Sequence, residues 1–179
     1  MPFTPIQTLW INFTTLLFQA IGLGYGKPAD GLMQRRPRQP DAPILSRALL
    51  TWLVAIGLIV GAGSLAVLSW AEHSRGETIA HTMGMVTFSL AAIVFSLATR
   101  DELRSTFSLD TFSDRTFVLC TLGSVATLIL STVLEPLERL LSTSSLNLQE
   151  WGVCALTAVA VLVAAEIRKA ILRARAEKV

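Results

Sequence analysis

The sequence has 179 residues, of which 52% are hydrophobic and 16% are charged, whereas about 25% of the residues in an average soluble domain carry a charge. The formal net charge is only +2. This composition excludes an ordinary soluble domain and predicts a protein that resides in lipid.

Five segments are apolar enough to cross a bilayer, which needs about 20 apolar residues. They cover approximately residues 3–25, 49–70, 80–99, 116–134 and 151–171. The first is not expected to be a cleavable signal peptide, because no basic segment precedes it and no small-residue cleavage site follows it. In the last segment Glu166 interrupts the apolar pattern, so a buried or surface-lying helix is the alternative there. The sequence predicts an all-α, multi-pass protein of the cell membrane, with residues 1–179 forming a single bundle of five transmembrane helices.

Basic residues are distributed unequally between the connections. All but two of the 15 Lys and Arg residues fall in the first loop, the third loop and the C-terminal tail, and the exceptions are Arg75 and Arg139. Because basic loops remain in the cytoplasm, we expect a cytoplasmic C-terminus and an N-terminus on the outside. These residues lie beside apolar spans and lack an aromatic platform, which disfavours nucleic acid as a partner. Membrane lipids are the expected surroundings.

Two cytoplasmic loops have a recognisable character. The loop from Lys27 to Arg47 contains four prolines, which fix backbone angles and remove donors, so it is predicted to be an extended strap. The loop from Arg100 to Arg115 alternates charged and apolar residues. It is predicted to be either an amphipathic surface segment or a polar connector.

The first span carries a stripe of polar side chains at helical spacing. Its members, separated by four, three and four residues, are Thr8, Asn12, Thr15 and Gln19. A polar group in hydrocarbon is costly unless it meets a partner, so the stripe is expected to face the protein interior or a partner. It is either an ion pathway lined by oxygen ligands or a set of interhelical hydrogen bonds.

Small and polar residues in the next two spans favour helix packing. The third span has a milder stripe of small and polar residues, Thr82, Met85, Ser89, Ala92 and Ser96. The second span has Gly57, Gly61 and Gly63, which suit close helix approach without specifying the partner helix. Cys120 and Cys154 lie within apolar spans, where a thiol behaves as a small hydrophobe.

The sequence has no motif for catalysis by this chain alone. It lacks the GxxxxGK[ST] phosphate loop, the GxGxxG fingerprint and the HExxH zinc motif. No carboxylate lies in the middle of a predicted span, whereas calcium takes six to eight oxygen ligands, several of them ionised. We therefore expect no enzyme activity, no cofactor and no metal site formed by these five spans alone.

The order of features resembles the C-terminal membrane domain of P-type cation-transporting ATPases of the calcium-pump type. The segment Thr4 to Asn12 is similar to the start of that family's sixth membrane helix, and Gly31 to Arg38 resembles its Met-x-x-x-Pro-Arg connector. Ala80 to Met83 is similar to the start of the eighth helix. Leu148 to Trp151 followed by Glu166 to Lys169 is similar to the tenth. The resemblance covers nearly the whole chain and implies a cation-transport module.

Two positions depart from the calcium-pump pattern. The sixth-helix motif Asn-x-x-Thr-Asp is matched by Asn12 and Thr15, but Leu16 stands in place of the ligand Asp. Ala92 stands where those pumps carry Glu or Gln in the eighth helix. The resemblance therefore implies cation transport without specifying calcium.

The resemblance covers only the second half of the family's membrane domain. The sequence lacks the family's first five membrane helices and its phosphorylated Asp-Lys-Thr-Gly-Thr motif. The first hypothesis is therefore a module that acts with the N-terminal half of a P-type ATPase as its partner, whether as a fragment or as a separately encoded half. The alternative is a standalone membrane scaffold or regulatory protein, or a nonfunctional pump remnant.

Overall fold

The computed structural model describes residues 3–25, 47–100 and 114–176, with side chains to residue 174. These residues form helices and no strands. The helices are α1 (Pro5–Gly24), α2 (Arg47–Arg75), α3 (Glu77–Thr99), α4 (Arg115–Leu130), α5 (Glu135–Leu141) and α6 (Leu148–Ala176). Four of them are long and apolar enough to cross a membrane, and α4 with α5 makes a fifth if that bent pair is one span. The prediction of an all-α, multi-pass membrane protein is confirmed.

Several sequence predictions concern residues outside the described ranges. Both loop predictions fall there, on residues 26–46 and 101–113. The same is true of the Met-x-x-x-Pro-Arg connector and of six of the 15 basic residues in the charge asymmetry. The orientation of the termini therefore stays a prediction.

Helix α3 lies at the centre of the bundle. It packs against α2 on one side and α6 on another, while α1 lies against α3 and α4. Its buried residues are mostly small, which brings the neighbouring backbones close, as is usual in membrane helix pairs. In contrast, Leu58 of α2 and Leu119 of α4 are 67% and 68% exposed. An apolar outer surface of this kind is suited to lipid, since lipid tails are as apolar as leucine.

The start of α1 is fixed by its own sequence. Thr4 and Gln7 form a reciprocal capping box, in which each side chain accepts the other residue's backbone N–H. Pro5 follows at the first helical position, where its missing N–H costs nothing. These contacts explain why a helix begins here.

Helix α4 ends at Leu130, four residues before the predicted end of the fourth span, and the chain then turns by 84° into α5. The Ser131 and Thr132 hydroxyls donate to carbonyls three residues earlier, and Thr143 donates to the Ser131 carbonyl. Pro136 then lies in the first turn of α5. Hydroxyl donors therefore supplement the backbone bonds at the end of this helix, where the Ile129 carbonyl also accepts the Thr132 N–H.

One end of the bundle is fastened by an ion pair between α2 and α6. Arg75 Nη1 lies 3.4 Å from Glu150 Oε1. Glu150 is buried and accepts the Asn147 backbone N–H, while Asn147 accepts the Glu150 N–H. The carboxylate thus caps α6 and holds the end of α2 beside its start.

Candidate functional site

The polar stripe predicted on α1 is divided between two faces of the helix. Thr15 and Gln19 are buried, whereas Thr8 and Asn12 are exposed on this chain. The buried face runs in steps of four residues through Gln7, Ile11, Thr15 and Gln19. The adjacent exposed face is displaced by one residue and runs through Thr8, Asn12, Leu16 and Ala20. The sequence predicted that the stripe faces the protein interior or a partner, and on this chain Thr15 and Gln19 face the interior while the facing of Thr8 and Asn12 toward a partner stays a prediction.

A π-helical segment explains this division. Residues Ile11–Leu16 are π-helical, and the Leu17 N–H donates to the Asn12 carbonyl five residues earlier. The predicted stripe assumed 3.6 residues per turn throughout. The wider turn keeps residues four apart on one face, so Thr15 remains with Ile11 and not with Asn12. Asn12, Thr15 and Leu16 all lie in this segment, and π-helical turns in proteins often occur at functional sites.

Gln19 is the centre of a buried polar network that joins three helices. Its Nε2 donates to Ser124 Oγ of α4 at 3.1 Å, and its Oε1 accepts from Ser96 Oγ of α3. Ser124 Oγ also donates to the Cys120 carbonyl of its own helix, and the single Ser96 hydroxyl hydrogen is shared between Gln19 and the Ile93 carbonyl. The two bonds made by Gln19 itself both join packed helices. For Gln19, the geometry is that of interhelical hydrogen bonding.

Gln7 provides a second buried connection, which the sequence analysis missed. Its Nε2 donates at 2.9 Å to the carbonyl of Leu141, the last residue of α5. The start of α1 is thereby attached to the segment that follows the bend. The available signal was a long amide twelve residues before Gln19, but the two residues share a face only because of the π-helical turn between them.

Asn12 and Thr8 bind within their own helix. Asn12 Nδ2 donates to the Thr8 carbonyl at 2.8 Å, and the Thr8 hydroxyl donates to the Thr4 carbonyl. Leu16, next on this face, is 38% exposed. The described part of the chain thus leaves one polar face of α1 uncovered.

The stripe predicted on α3 faces the bundle. Thr82, Met85, Ser89 and Ser96 are buried, and Ala92 is half-buried. Thr82 accepts the backbone N–H of Ser144, which connects α3 to the segment before α6. Packing between helices accounts for this stripe.

The three glycines of α2 have different surroundings. A Cβ added to Gly63 would lie 2.4 Å from Cγ2 of Thr157 on α6, so this glycine permits the contact between α2 and α6. A Cβ at Gly57 or Gly61 would meet no atom within 4 Å. Packing within the described chain therefore explains Gly63 alone.

Charged side chains close the end of the bundle nearest Gln19. Arg100 Nη2 lies 3.3 Å from Asp114 Oδ2, and its guanidinium stacks 4.7 Å from the Phe117 ring centroid. Asp114 also accepts the Thr116 and Phe117 N–H groups and so caps α4. Within the described ranges, no group of three or more His, Cys, Asp or Glu residues could hold a metal ion.

Comparison with known proteins gives a consistent result. Residues 1–171 match the family described as "Cation transporting ATPase, C-terminus". The chain is 27% identical to a calcium-transporting ATPase of Bacillus subtilis over 84% of its own length, which is 17% of that protein. It is 29% identical to calcium-transporting ATPase 1 of Schizosaccharomyces pombe, over 94% of this chain and 19% of the relative. A probable cation-transporting ATPase F of Mycobacterium tuberculosis is 24% identical over 84% of the chain.

The chain spans about a fifth of the length of the curated relatives it matches. The family match covers nearly all of its residues, including the helix that carries Asn12, Thr15 and Gln19. The resemblance identified from the sequence motifs is therefore confirmed. This chain belongs to the family of C-terminal membrane regions of cation-transporting P-type ATPases.

Proposed function

We propose that this chain acts in cation transport as the C-terminal membrane module of a P-type ATPase. It would work with an N-terminal half that supplies further membrane helices and the phosphorylation and nucleotide-binding domains, on whichever polypeptide these are carried. The module itself would neither bind nor hydrolyse ATP, because its sequence offers no phosphate loop and no phosphorylation motif. Family membership and the much greater length of the relatives support this proposal.

The uncovered polar face of α1 is the observation that carries the proposal. Thr8 and Asn12 are exposed on this chain, although both lie in a helix long and apolar enough to cross a membrane. An asparagine side chain has two N–H donors and a carbonyl acceptor, and one bond to Thr8 uses a single donor. Its other polar atoms would be unpaired against lipid, which is costly. A partner helix at this face would satisfy them.

The chemistry of this face suits a shared cation site. The Asn12 side chain offers an oxygen ligand beside the widened helical turn. Leu16, exposed one step along the face, offers none, and neither does half-buried Ala92 of α3. Because divalent cations are usually held by ionised carboxylates, the negative charge would come from the partner half. The proposal therefore names a cation and not a particular ion.

Photo-crosslinking from native membranes tests the proposal. A photoreactive residue at position 12 is expected to crosslink to a protein segment that carries the Asp-Lys-Thr-Gly-Thr motif or to membrane helices joined to it. The matched control is position 156, because Leu156 of α6 is also exposed but has an apolar side chain suited to lipid. Crosslinking to lipid alone at both positions would contradict the proposal.

Asn12→Leu then separates ion binding from assembly. If the Asn12 amide is a cation ligand, ATP-driven ion flux should fall while the two halves still co-purify. If it only joins the halves, assembly and flux should fall together. No change in either measurement would show that this face has no partner.

A further inference from the structure

Helix α1 is anchored to the rest of the chain by two glutamines. Gln7 Nε2 donates at 2.9 Å to the Leu141 carbonyl, and Gln19 bonds to Ser96 and Ser124. Both amide side chains are buried. The two anchors therefore require both glutamines to point into the bundle at the same time.

The spacing of the two anchors does not fit an uninterrupted α-helix. Gln7 and Gln19 are twelve residues apart, which at 3.6 residues per turn places them about 120° apart around the helix. Thr8 is eleven residues before Gln19, and this spacing leaves only about 20° between them. The π-helical segment Ile11–Leu16 absorbs the extra residue and brings Gln7 onto the face of Gln19. Because π-helical turns are rare and this segment has no proline or glycine, tertiary contacts account for it.

A buried hydroxyl on α3 has no partner in this arrangement. Ser89 is 1% exposed, and its hydroxyl forms no hydrogen bond within the described part of the chain. It lies two helical turns before Ser96, which contacts Gln19, so the two serines share a face of α3. Ile11 of α1 belongs to the same buried apolar cluster as Met85, one turn before Ser89. The π-helical form thus presents an apolar side chain at this level of α3.

We propose that α1 is a helix with two registers, which becomes a continuous α-helix when Gln7 releases the Leu141 carbonyl. Gln19 keeps its bonds in both registers. The part of α1 before the π-helical segment turns by about 100°, the angle of one residue in an α-helix. All of these contacts lie within this chain, so the conversion does not require the proposed N-terminal half.

The two registers satisfy different polar groups. In the α-helical register Asn12 takes the place of Ile11 on the buried face, and its amide bonds to the Ser89 hydroxyl. Ile11 turns toward lipid, which is as apolar as the interior. Asn12 can leave the Thr8 carbonyl because that carbonyl also accepts the Ile11 N–H. One register pairs the Leu141 carbonyl and the other pairs Ser89, so the two are close in free energy.

Distances between two spin labels test the proposal. With Cys120 and Cys154 replaced by alanine, the full chain in lipid nanodiscs carries one label at Leu9 of α1 and one at Leu119 of α4, both exposed positions. A turn of 100° moves the first label by roughly 8 Å, given a helix radius of about 5 Å. Double electron–electron resonance should therefore show two distance populations. A reference label at Leu58 of α2, on another side of the bundle, detects a movement that leaves the first distance constant, and a single population with both references would overturn the proposal.

Two substitutions should shift these populations in opposite directions. Gln7→Met removes the bond to Leu141 and should raise the ratio of the α-helical to the π-helical register about threefold, which corresponds to the average of about 0.6 kcal/mol for a hydrogen bond between membrane helices. Ser89→Ala removes the partner of Asn12 and should lower the ratio by a similar factor. Thr4→Ala is the matched control, because it weakens the capping box shared with Gln7 but leaves the bond to Leu141. Unchanged populations in both Gln7→Met and Ser89→Ala would contradict the two-register model of α1.

A deletion tests the same helix in the opposite way. Phe13 lies in the π-helical segment and is 60% exposed. Deleting it leaves Gln7 and Gln19 eleven residues apart, so a regular α-helix keeps both anchors. The deletion variant should show the distance population of the π-helical register alone, and two populations in this variant would refute the role assigned to the extra residue.

Discussion

Replacing Gln19 by leucine measures how much the buried network stabilises the bundle. The substitution removes the bonds to Ser96 and Ser124 and nearly preserves side-chain volume, so no large cavity forms. Both serines keep their bonds to carbonyls in their own helices, so neither hydroxyl is left without a partner. Hydrogen bonds between membrane helices contribute about 0.6 kcal/mol on average and up to about 1.7 kcal/mol. Gln19→Leu should therefore lower the free energy of unfolding by about 1–3 kcal/mol.

Equilibrium unfolding in mixed micelles, with increasing SDS, gives this free energy directly. Asn12→Leu is the matched control, because it also replaces an amide on α1 but removes only a bond within the helix. For the isolated chain it should change stability by less than about 0.5 kcal/mol. If Asn12→Leu destabilised the isolated chain as much as Gln19→Leu, the division of α1 into a buried and an exposed face would be wrong. A neutral Gln19→Leu would show that the network contributes nothing.

Three further predictions concern packing, orientation and activity. Gly63→Ala should destabilise the chain by about 1–3 kcal/mol, the usual effect of overpacking, because its methyl group would overlap Thr157. Gly61→Ala should have little effect, and adding Thr157→Ala should rescue the Gly63→Ala variant. Unfolding in SDS measures the stability of all three variants. With Cys120 and Cys154 replaced by alanine, a cysteine at Ser74, on the predicted outer side, should react with an impermeant thiol reagent in intact cells. A cysteine at Arg115, on the predicted cytoplasmic side, should not react. The reverse pattern would show that the predicted orientation is inverted. The purified chain should form no acid-stable phosphoenzyme with labelled ATP, and incorporation of label in a preparation free of other pumps would contradict this.

Segment composition and short motifs predicted the membrane class and the family correctly. Runs of apolar residues between charged connections indicate membrane helices, because the chain must satisfy its backbone internally wherever it crosses lipid. The motif around Asn12 and the ending from Glu166 to Lys169 then indicated which family of membrane proteins was involved. These signals are local in the sequence, so they do not require knowledge of packing.

Which residues of α1 are buried and which are exposed was not predictable from the sequence, because the division depends on a change in helical period. Residues Thr8, Asn12, Thr15 and Gln19 lie on one face at 3.6 residues per turn, but the π-helical segment Ile11–Leu16 moves Thr15 relative to Asn12. The segment contains no glycine or proline that would indicate a change in helical period. The bend after Leu130 could not be predicted either. Serine and threonine hydroxyls support it, and these residues are also common inside membrane helices.

Within α1, the long amide side chains reach other parts of the chain, whereas the shorter side chains of Thr8, Asn12 and Thr14 bond within the helix. The hydroxyls of Thr8 and Ser124 return to carbonyls one turn earlier in their own helices, whereas the longer Gln7 and Gln19 side chains extend to other parts of the chain. Asn12 is intermediate: its amide binds the Thr8 carbonyl, which also accepts the Ile11 N–H. Because that carbonyl keeps a backbone partner, the Asn12 amide can leave it for a ligand or a neighbouring helix, and the carbonyl remains hydrogen-bonded. The exposed face of α1 is therefore suited to exchange partners, while the face that carries Gln19 is suited to hold the bundle together.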